Sequence, residues 1–223
     1  VLTAFYRRSL YTVTSFWALM LAGCSMPTPA PQTILENTDY AAVTEHQQRL
    51  DSIFRWRLSA RLAIVQKAND ERDGLYLNWD WQRQPDQHQN LRFSHPLKGQ
   101  LASLTITPQG AQLNADGEQY QDRSAERLLH RVLGLKLPVN ALSQWVLGKV
   151  TPSLQQRAFI AGGRIAKADV HTAAGQLWSL QWFYGEQLLP QQIHLESNQL
   201  RIKLQLNDWQ ISPELAPNDA VHD

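Results

Sequence analysis

From Trp56 onward the apolar positions recur at every second residue: Trp56, Leu58, Ala60, Leu62 and Ile64 alternate with Arg57, Ser59, Arg61 and Ala63. Successive side chains of a strand point to opposite faces, so this period predicts a β-strand with one buried and one wetter side. Leu75, Leu77, Trp79 and Trp81 repeat the pattern against Tyr76, Asn78 and Asp80; Leu91 and Phe93 follow, then Ala102, Leu104 and Ile106, with Gly110, Gly117 and prolines marking turns. Further strands are expected at Ile165–His171, Gln176–Tyr184, Leu189–Ser197 and Gln199–Ile211. The last has the cleanest alternation, Leu200, Ile202, Leu204 and Leu206 against Arg201, Lys203, Gln205 and Asn207.

The period changes to that of a helix in two places. Residues 39–52 are helix formers with apolar Val43 and Leu50, and Asp39 stands at the N-cap. Between Ser124 and Gly148, Leu128, Leu129, Val132 and Leu133 form an apolar stripe that Gly134 ends; a second short helix from Val139 or Asn140 to Leu147 bears Leu142, Trp145 and Val146. Strands, two helices and more strands predict a mainly β fold with some α: a curved antiparallel sheet forming an incomplete β-barrel, with a helical lid over an apolar cavity.

The first residues follow a different logic. Arg7 and Arg8 precede a mostly apolar run, Leu10 to Leu21, broken by Thr12, Thr14 and Ser15 and too short to span a bilayer. It ends in Leu21-Ala22-Gly23-Cys24, which resembles a bacterial lipobox, where the cysteine is acylated and becomes the first mature residue. The expected organisation is a signal peptide over 1–23, an acylated Cys24 with a proline-rich extended tether over 24–38, one folded domain over 39–212 and a loose polar tail over 213–223. Cys24 is the sole cysteine, so no disulfide is available and apolar burial must supply the stability. The lipobox resemblance implies three acyl chains, and the absence of aspartate at Ser25 and Met26 implies the outer membrane, inner leaflet.

Removing residues 1–23 leaves 19 basic against 20 acidic residues, which gives no reason to expect a nucleic-acid partner. Hydrolase elbows, zinc-protease motifs and phosphate loops are missing from the sequence, and no cofactor or metal site is expected. His46, His88, His95, His130, His171, His194 and His222 are scattered without ligand spacing, and each is expected at the surface or half-buried. Seven tryptophans remain after processing. They suit an ordinary core and a lined acyl cavity equally well.

The lipobox, the segment from Asn140 to Gly148 with its Leu-x-x-Trp-hydrophobic-Leu-Gly pattern, and the segment from Arg201 to Trp209 together resemble the LolB family of outer-membrane lipoprotein receptors. The resemblance implies a receptor and chaperone, not an enzyme, that accepts acylated lipoproteins from the periplasmic carrier LolA and inserts them into the outer-membrane bilayer. We expect a monomer, lipid-anchored on the periplasmic face. The apolar faces of Leu75, Leu77, Trp79, Trp81, Leu91, Phe93, Leu104, Ile106, Leu128, Leu129, Val132, Leu142, Trp145 and Val146 are expected to line the acyl cavity.

In Phe93-Ser94-His95-Pro96-Leu97-Lys98-Gly99 a leucine sits at the centre of a turn, where a polar residue is usual. By turn chemistry alone Leu97 either folds back onto the core or stands out in solvent. The resemblance implies an exposed leucine that inserts cargo into the membrane, although His95 replaces the family's asparagine and Lys98 is an extra residue. Two other readings stay open at this stage: a lipoprotein scaffold with a filled core, and a lipid-active hydrolase.

Overall fold

Strand β1 (Ile53–Gln66) organises the molecule because it hydrogen-bonds on both sides with long partners. On one side β2 (Glu71–Gln82) places Leu77 opposite Ala60 and Trp79 opposite Leu58; on the other β11 (Leu200–Pro213) places Leu204 opposite Leu62 and Ile202 opposite Ile64. Apolar side chains therefore meet apolar side chains across both ladders. A one-residue slip would turn every one of them to the wrong face, so the register is strongly fixed.

The computed structural model describes residues 26, 29–83, 87–134, 137–171 and 175–213. Cys24, the signal segment and nearly all of the polar tail lie outside the described residues. The remaining strands are β3 (His88–His95), β4 (Gly99–Thr107), β5 (Gly110–Ala115), β6 (Glu118–Asp122), β7 (Gln155–Ile160), β8 (Arg164–His171), β9 (Leu177–Tyr184) and β10 (Pro190–Glu196). With β1, β2 and β11 they form one antiparallel sheet in the order β6-β5-β4-β3-β2-β1-β11-β10-β9-β8-β7. The edge strands β6 and β7 do not pair with each other among the described residues, so the barrel is incomplete, as expected.

Three strands, β5, β6 and β7, carry no legible period in the sequence. In the β5–β6 hairpin the glycines signal turns, and the inward positions Ala111 and Ala115 are too small to mark a buried face. Strand β7 is an edge strand that begins with exposed Gln155, Gln156 and Arg157, and Gln156 adopts φ 48°, which breaks its alternation. A bulge in β11 puts Asp208 and Trp209 together opposite Leu58, with Asp208 at φ 50°. The extra residue shifts the strand's phase and brings Trp209 against the core, its ring 5.6 Å from that of Trp56.

Helix α1 (Tyr40–Asp51) starts where the Asp39 carboxylate accepts hydrogen bonds from the Ala41 and Ala42 amides. Helix α2 (Ala125–Leu133) starts at Ser124, whose hydroxyl accepts from the Arg127 amide, and ends at Gly134; α3 (Val139–Trp145) follows. Helix α2 packs on β5, β6 and α3. The proline-rich stretch is not tether throughout. Gln32 is fastened to β9, its side chain donating to the Trp182 carbonyl at 2.6 Å and accepting from the Tyr184 amide at 3.0 Å, and the Leu35 amide donates to the Phe159 carbonyl.

Helix α1 lies directly on the turn Ala161–Gly163. A Cβ at Gly163, which also holds φ 69°, would fall inside the Ala42 carbonyl. Gly163→Ala is therefore expected to destabilise the protein by about 3 kcal/mol, from overpacking plus left-handed strain, which lowers the thermal midpoint by roughly 6–12 °C. Thermal denaturation checks this; an unchanged midpoint would contradict the docking of α1.

Candidate functional site

The apolar face of the sheet and the inner faces of the helices enclose a single hydrophobic cluster. Of the positions expected to line a cavity, Leu77, Trp79, Trp81, Leu91, Phe93, Leu104, Ile106, Leu128, Leu129, Leu142, Trp145 and Val146 are buried, while Leu75 and Val132 are half-buried at its margin. All fourteen share one interior, and in this conformation they pack on one another. Apolar surface left facing water costs about 25 cal/mol per Å², so facing side chains close together.

At its heart Trp56 stacks on Trp81, with centroids 5.8 Å apart, and meets Trp79 edge-on at 5.1 Å. The indole N–H groups of Trp56, Trp79, Trp81 and Trp145 reach no acceptor among the described residues.

The Leu142-x-x-Trp145-Val146-Leu147-Gly148 segment docks α3 at one end of this interior. The Trp182 indole N–H donates to the Trp145 carbonyl at 2.6 Å, and the backbone beyond it turns at Gly148 against Tyr184. A Cβ at Gly148 would stand 2.5 Å from the Tyr184 hydroxyl, so only glycine permits this approach. Helix α1 clasps the same backbone: the Gln47 side chain donates to the Gly148 carbonyl and accepts from the Val150 amide, and Lys149 pairs with Asp51 at 2.7 Å. With Gln32 these contacts plug the end of the barrel where β1 begins.

The opposite end consists of hairpins. Antiparallel register places the β1–β2, β3–β4, β5–β6 and β10–β11 turns there together, with the end of β8 and the start of β9 beside them. The β3–β4 turn carries Leu97, which is 91 % exposed. His95 explains how the turn holds without asparagine: its Nδ1 accepts the Leu97 amide at 3.1 Å, the bond an asparagine side-chain oxygen makes in an Asx turn. Beside α2 the same end opens into a recess of about 1420 Å³, bordered by Lys67, Arg127, His130 and the β8–β9 and β10–β11 hairpins. None of the fourteen expected cavity residues borders it. The periodicity rule missed it because its walls are hairpin ends and helix termini, which have no alternation to read.

Apart from the pair of buried Lys149 with Asp51, the ionic contacts are peripheral. Arg127 pairs with Asp122 and holds its carboxyl down to about 2, tying the first turn of α2 to β6. Lys67 bridges Glu196 at 2.7 Å and the Ser197 carbonyl at 2.7 Å, locking two hairpins together. Sequence placed the histidines at the surface or half-buried, but His46 is fully buried in α1.

Solved structures share this open antiparallel sheet covered by helices around an apolar interior. A LolA superfamily protein from Nitrosomonas europaea superposes with a TM-score of 0.50 at 9 % identity, over 78 % of this chain and 94 % of that one. A putative outer membrane lipoprotein-sorting protein domain from Vibrio parahaemolyticus gives 0.53 at 10 %, over 80 % and 94 %. At such identities the likeness concerns the fold alone.

Sequence relatives narrow the class. The family model described as outer membrane lipoprotein LolB matches residues 54–209. The outer-membrane lipoprotein LolB of Pseudoalteromonas translucida is 31 % identical, over 91 % of this chain and 95 % of its own; that of Vibrio cholerae is 27 % identical, over 95 % and 100 %. The chain belongs to the LolB family, whose members are lipoprotein localisation factors and not a known enzyme family.

Burial, with Arg49 and Arg164 nearby, pulls the His46 imidazole down to about 4, and burial beside Lys203 and Arg201 does the same for His194. Both are neutral in the folded state and titrate near 6.5 once unfolded. Between those values the unfolded chain binds protons that the folded chain refuses, so stability is full above pH 6.5 and falls as the pH drops towards 4. Thermal midpoints measured from pH 7.5 to 4.5 should decline, and less steeply in His46→Gln, which has no proton to take up. Parallel curves for the two proteins would contradict the assignment.

Proposed function

We propose that this protein is an outer-membrane lipoprotein receptor and chaperone, which takes acylated lipoproteins from the periplasmic carrier LolA and inserts them into the outer membrane. The observation that carries this reading is Leu97, 91 % exposed on a turn pinned by its neighbour His95, at the end of the barrel away from the plugged one. An isolated leucine held out in water stabilises nothing in the fold and suits contact with a lipid surface. Family membership and an interior built from apolar faces support the same reading.

Cys24, acylated, anchors the chain on the periplasmic face; three chains at about 0.8 kcal/mol per buried methylene give a firm hold. Cargo chains exposed to water would cost on the same scale, so a receptor must enclose them in transit. The fourteen interior residues, Leu75 to Val146, form the lining, and the helices part from the sheet to admit the chains. Transfer runs down a gradient of affinity from carrier to receptor to bilayer, with the receptor acting as a monomer and without chemistry of its own.

The packed interior favours a second reading, a lipoprotein scaffold with a filled core. The two differ in whether acylated cargo enters. The test is transfer of a labelled triacylated lipoprotein from purified carrier to the full chain in detergent, then to liposomes. Wild type should accept cargo without nucleotide, and Leu97→Glu should accept it equally yet deliver it to liposomes about tenfold more slowly, since a carboxylate resists leaving water. Cargo that stays on the carrier supports the scaffold; equal delivery by both proteins removes the role of Leu97.

A further inference from the structure

A second recess, of about 490 Å³, lies between β10 and β11, and none of its lining comes from a helix or from the β3–β4 turn. Gln187, from the loop before β10, and Gln191 on β10 form one wall; Gln205, Asn207, Asp208 and Trp209 of β11 form the other. Gln205 and Asn207 alternate with buried Leu204 and Leu206, so the recess opens on the outer face of the sheet. Its size falls within the roughly 300–1,000 Å³ of a site for one small molecule.

The bulge in β11 builds this recess. An unbroken strand would send Asn207, Asp208 and Trp209 to alternate faces, whereas here all three reach one concavity. Asp208 is held at φ 50°, a conformation that costs energy in any residue with a side chain and that persists only where the surrounding structure imposes it.

The lining gathers four carboxamides, each with two donors and an acceptor, and one carboxylate that only accepts. Asp208 is its sole charged side chain, so anions are disfavoured and a neutral molecule dense in hydrogen-bonding groups is favoured. The Trp209 indole N–H is already spent on the Pro190 carbonyl at 3.3 Å, which leaves the half-buried ring as a hydrocarbon surface. Gln205 Oε1 is shut off from water and accepts no hydrogen bond among the described residues. An orphaned acceptor is costly, and turning this half-buried carboxamide towards the recess relieves the cost once a ligand brings a donor.

We propose that this recess binds a neutral saccharide. A sugar ring matches both parts of the lining, with hydroxyls around its edge for the carboxamides and Asp208, and a face of C–H groups for the Trp209 ring. Gln205 and Asp208 take hydroxyl protons, while the side-chain amides of Gln187, Gln191 and Asn207 donate to sugar oxygens. Neither the apolar interior nor Leu97 takes part, so the site stands independently of the receptor reading. A soluble oligosaccharide and the glycan strands of a cell wall share this chemistry.

The experiment titrates the full chain, in a zwitterionic detergent with no sugar headgroup to compete, with chitotetraose, maltotetraose and a capped tetra-alanine peptide by calorimetry. Sedimentation with purified cell-wall sacculi is measured alongside. At least one saccharide should bind with a Kd of about 1 mM or tighter. Gln205→Leu and Asp208→Asn should each weaken it about tenfold, the loss of one hydrogen bond, and Gln119→Ala on the exposed edge strand β6 should not. Asparagine tolerates the left-handed conformation at position 208, so that variant keeps the bulge. Gln205→Leu removes an orphaned acceptor and should leave the thermal midpoint unchanged or higher. Cosedimentation with sacculi assigns the ligand to cell-wall glycan; sugar binding without it assigns a soluble saccharide. No saccharide bound, the peptide bound in preference to both sugars, or an affinity that neither variant moves overturns the proposal.

Discussion

An eleven-stranded sheet whose edges do not meet has an apolar face that its own strands cannot cover. Everything else in this molecule answers that constraint. Had β6 paired with β7, the interior would be sealed by hydrogen bonds that are costly to break; instead the cover consists of three short helices held by side chains and a few backbone contacts. Burying the sheet's face against α2 and α3 supplies the driving force, and the absence of a closing ladder leaves a part that can move without unpairing the sheet.

The cover is not uniform. At the end where β1 begins, Gln32, α1, the Gly148 backbone and the 161–163 turn interlock through half-buried hydrogen bonds and two glycines that admit no side chain. At the other end only turns, exposed ion pairs and one helix terminus face the seam. Exposed pairs such as Arg127 with Asp122 contribute little stability, of order 0–1 kcal/mol. The barrel thus has an interlocked base and a mouth of hairpin turns, and the two most exposed leucines among the described residues, Leu97 and Leu177, both belong to the mouth.

Much of this was legible in the sequence where a periodic rule applied. The alternation at Trp56–Ile64 and at Leu200–Leu206 marks two strands that pair with each other, and Asp39, Ser124 and Gly134 mark helix ends that the hydrogen bonds bear out. Legibility fails where structure comes from aperiodic contacts. Strand β7 is polar because it is an edge, Trp209 turns inward through a bulge, and Gln32 is held by backbone groups 150 residues away. His46 shows a related limit: a polar residue in an amphipathic helix reads as surface, and only the packing of α1 on the turn beneath it removes the water. The recess was invisible for the same reason.

The clamp on Gln32 also sets a leash. Seven residues lie between Cys24 and Gln32, and the eight steps from one to the other, at about 3.3–3.6 Å each, extend to at most about 29 Å. Strand β1 has 14 residues and is roughly 46 Å long, and Gln32 is tied at the base while Leu97 is at the mouth. Under the anchoring proposed for Cys24, the leash tethers the base end of the sheet, and Leu97 belongs to the opposite end. The place where a single glutamine is caught thus sets how far the proposed anchor lets the base of the sheet stand from a membrane.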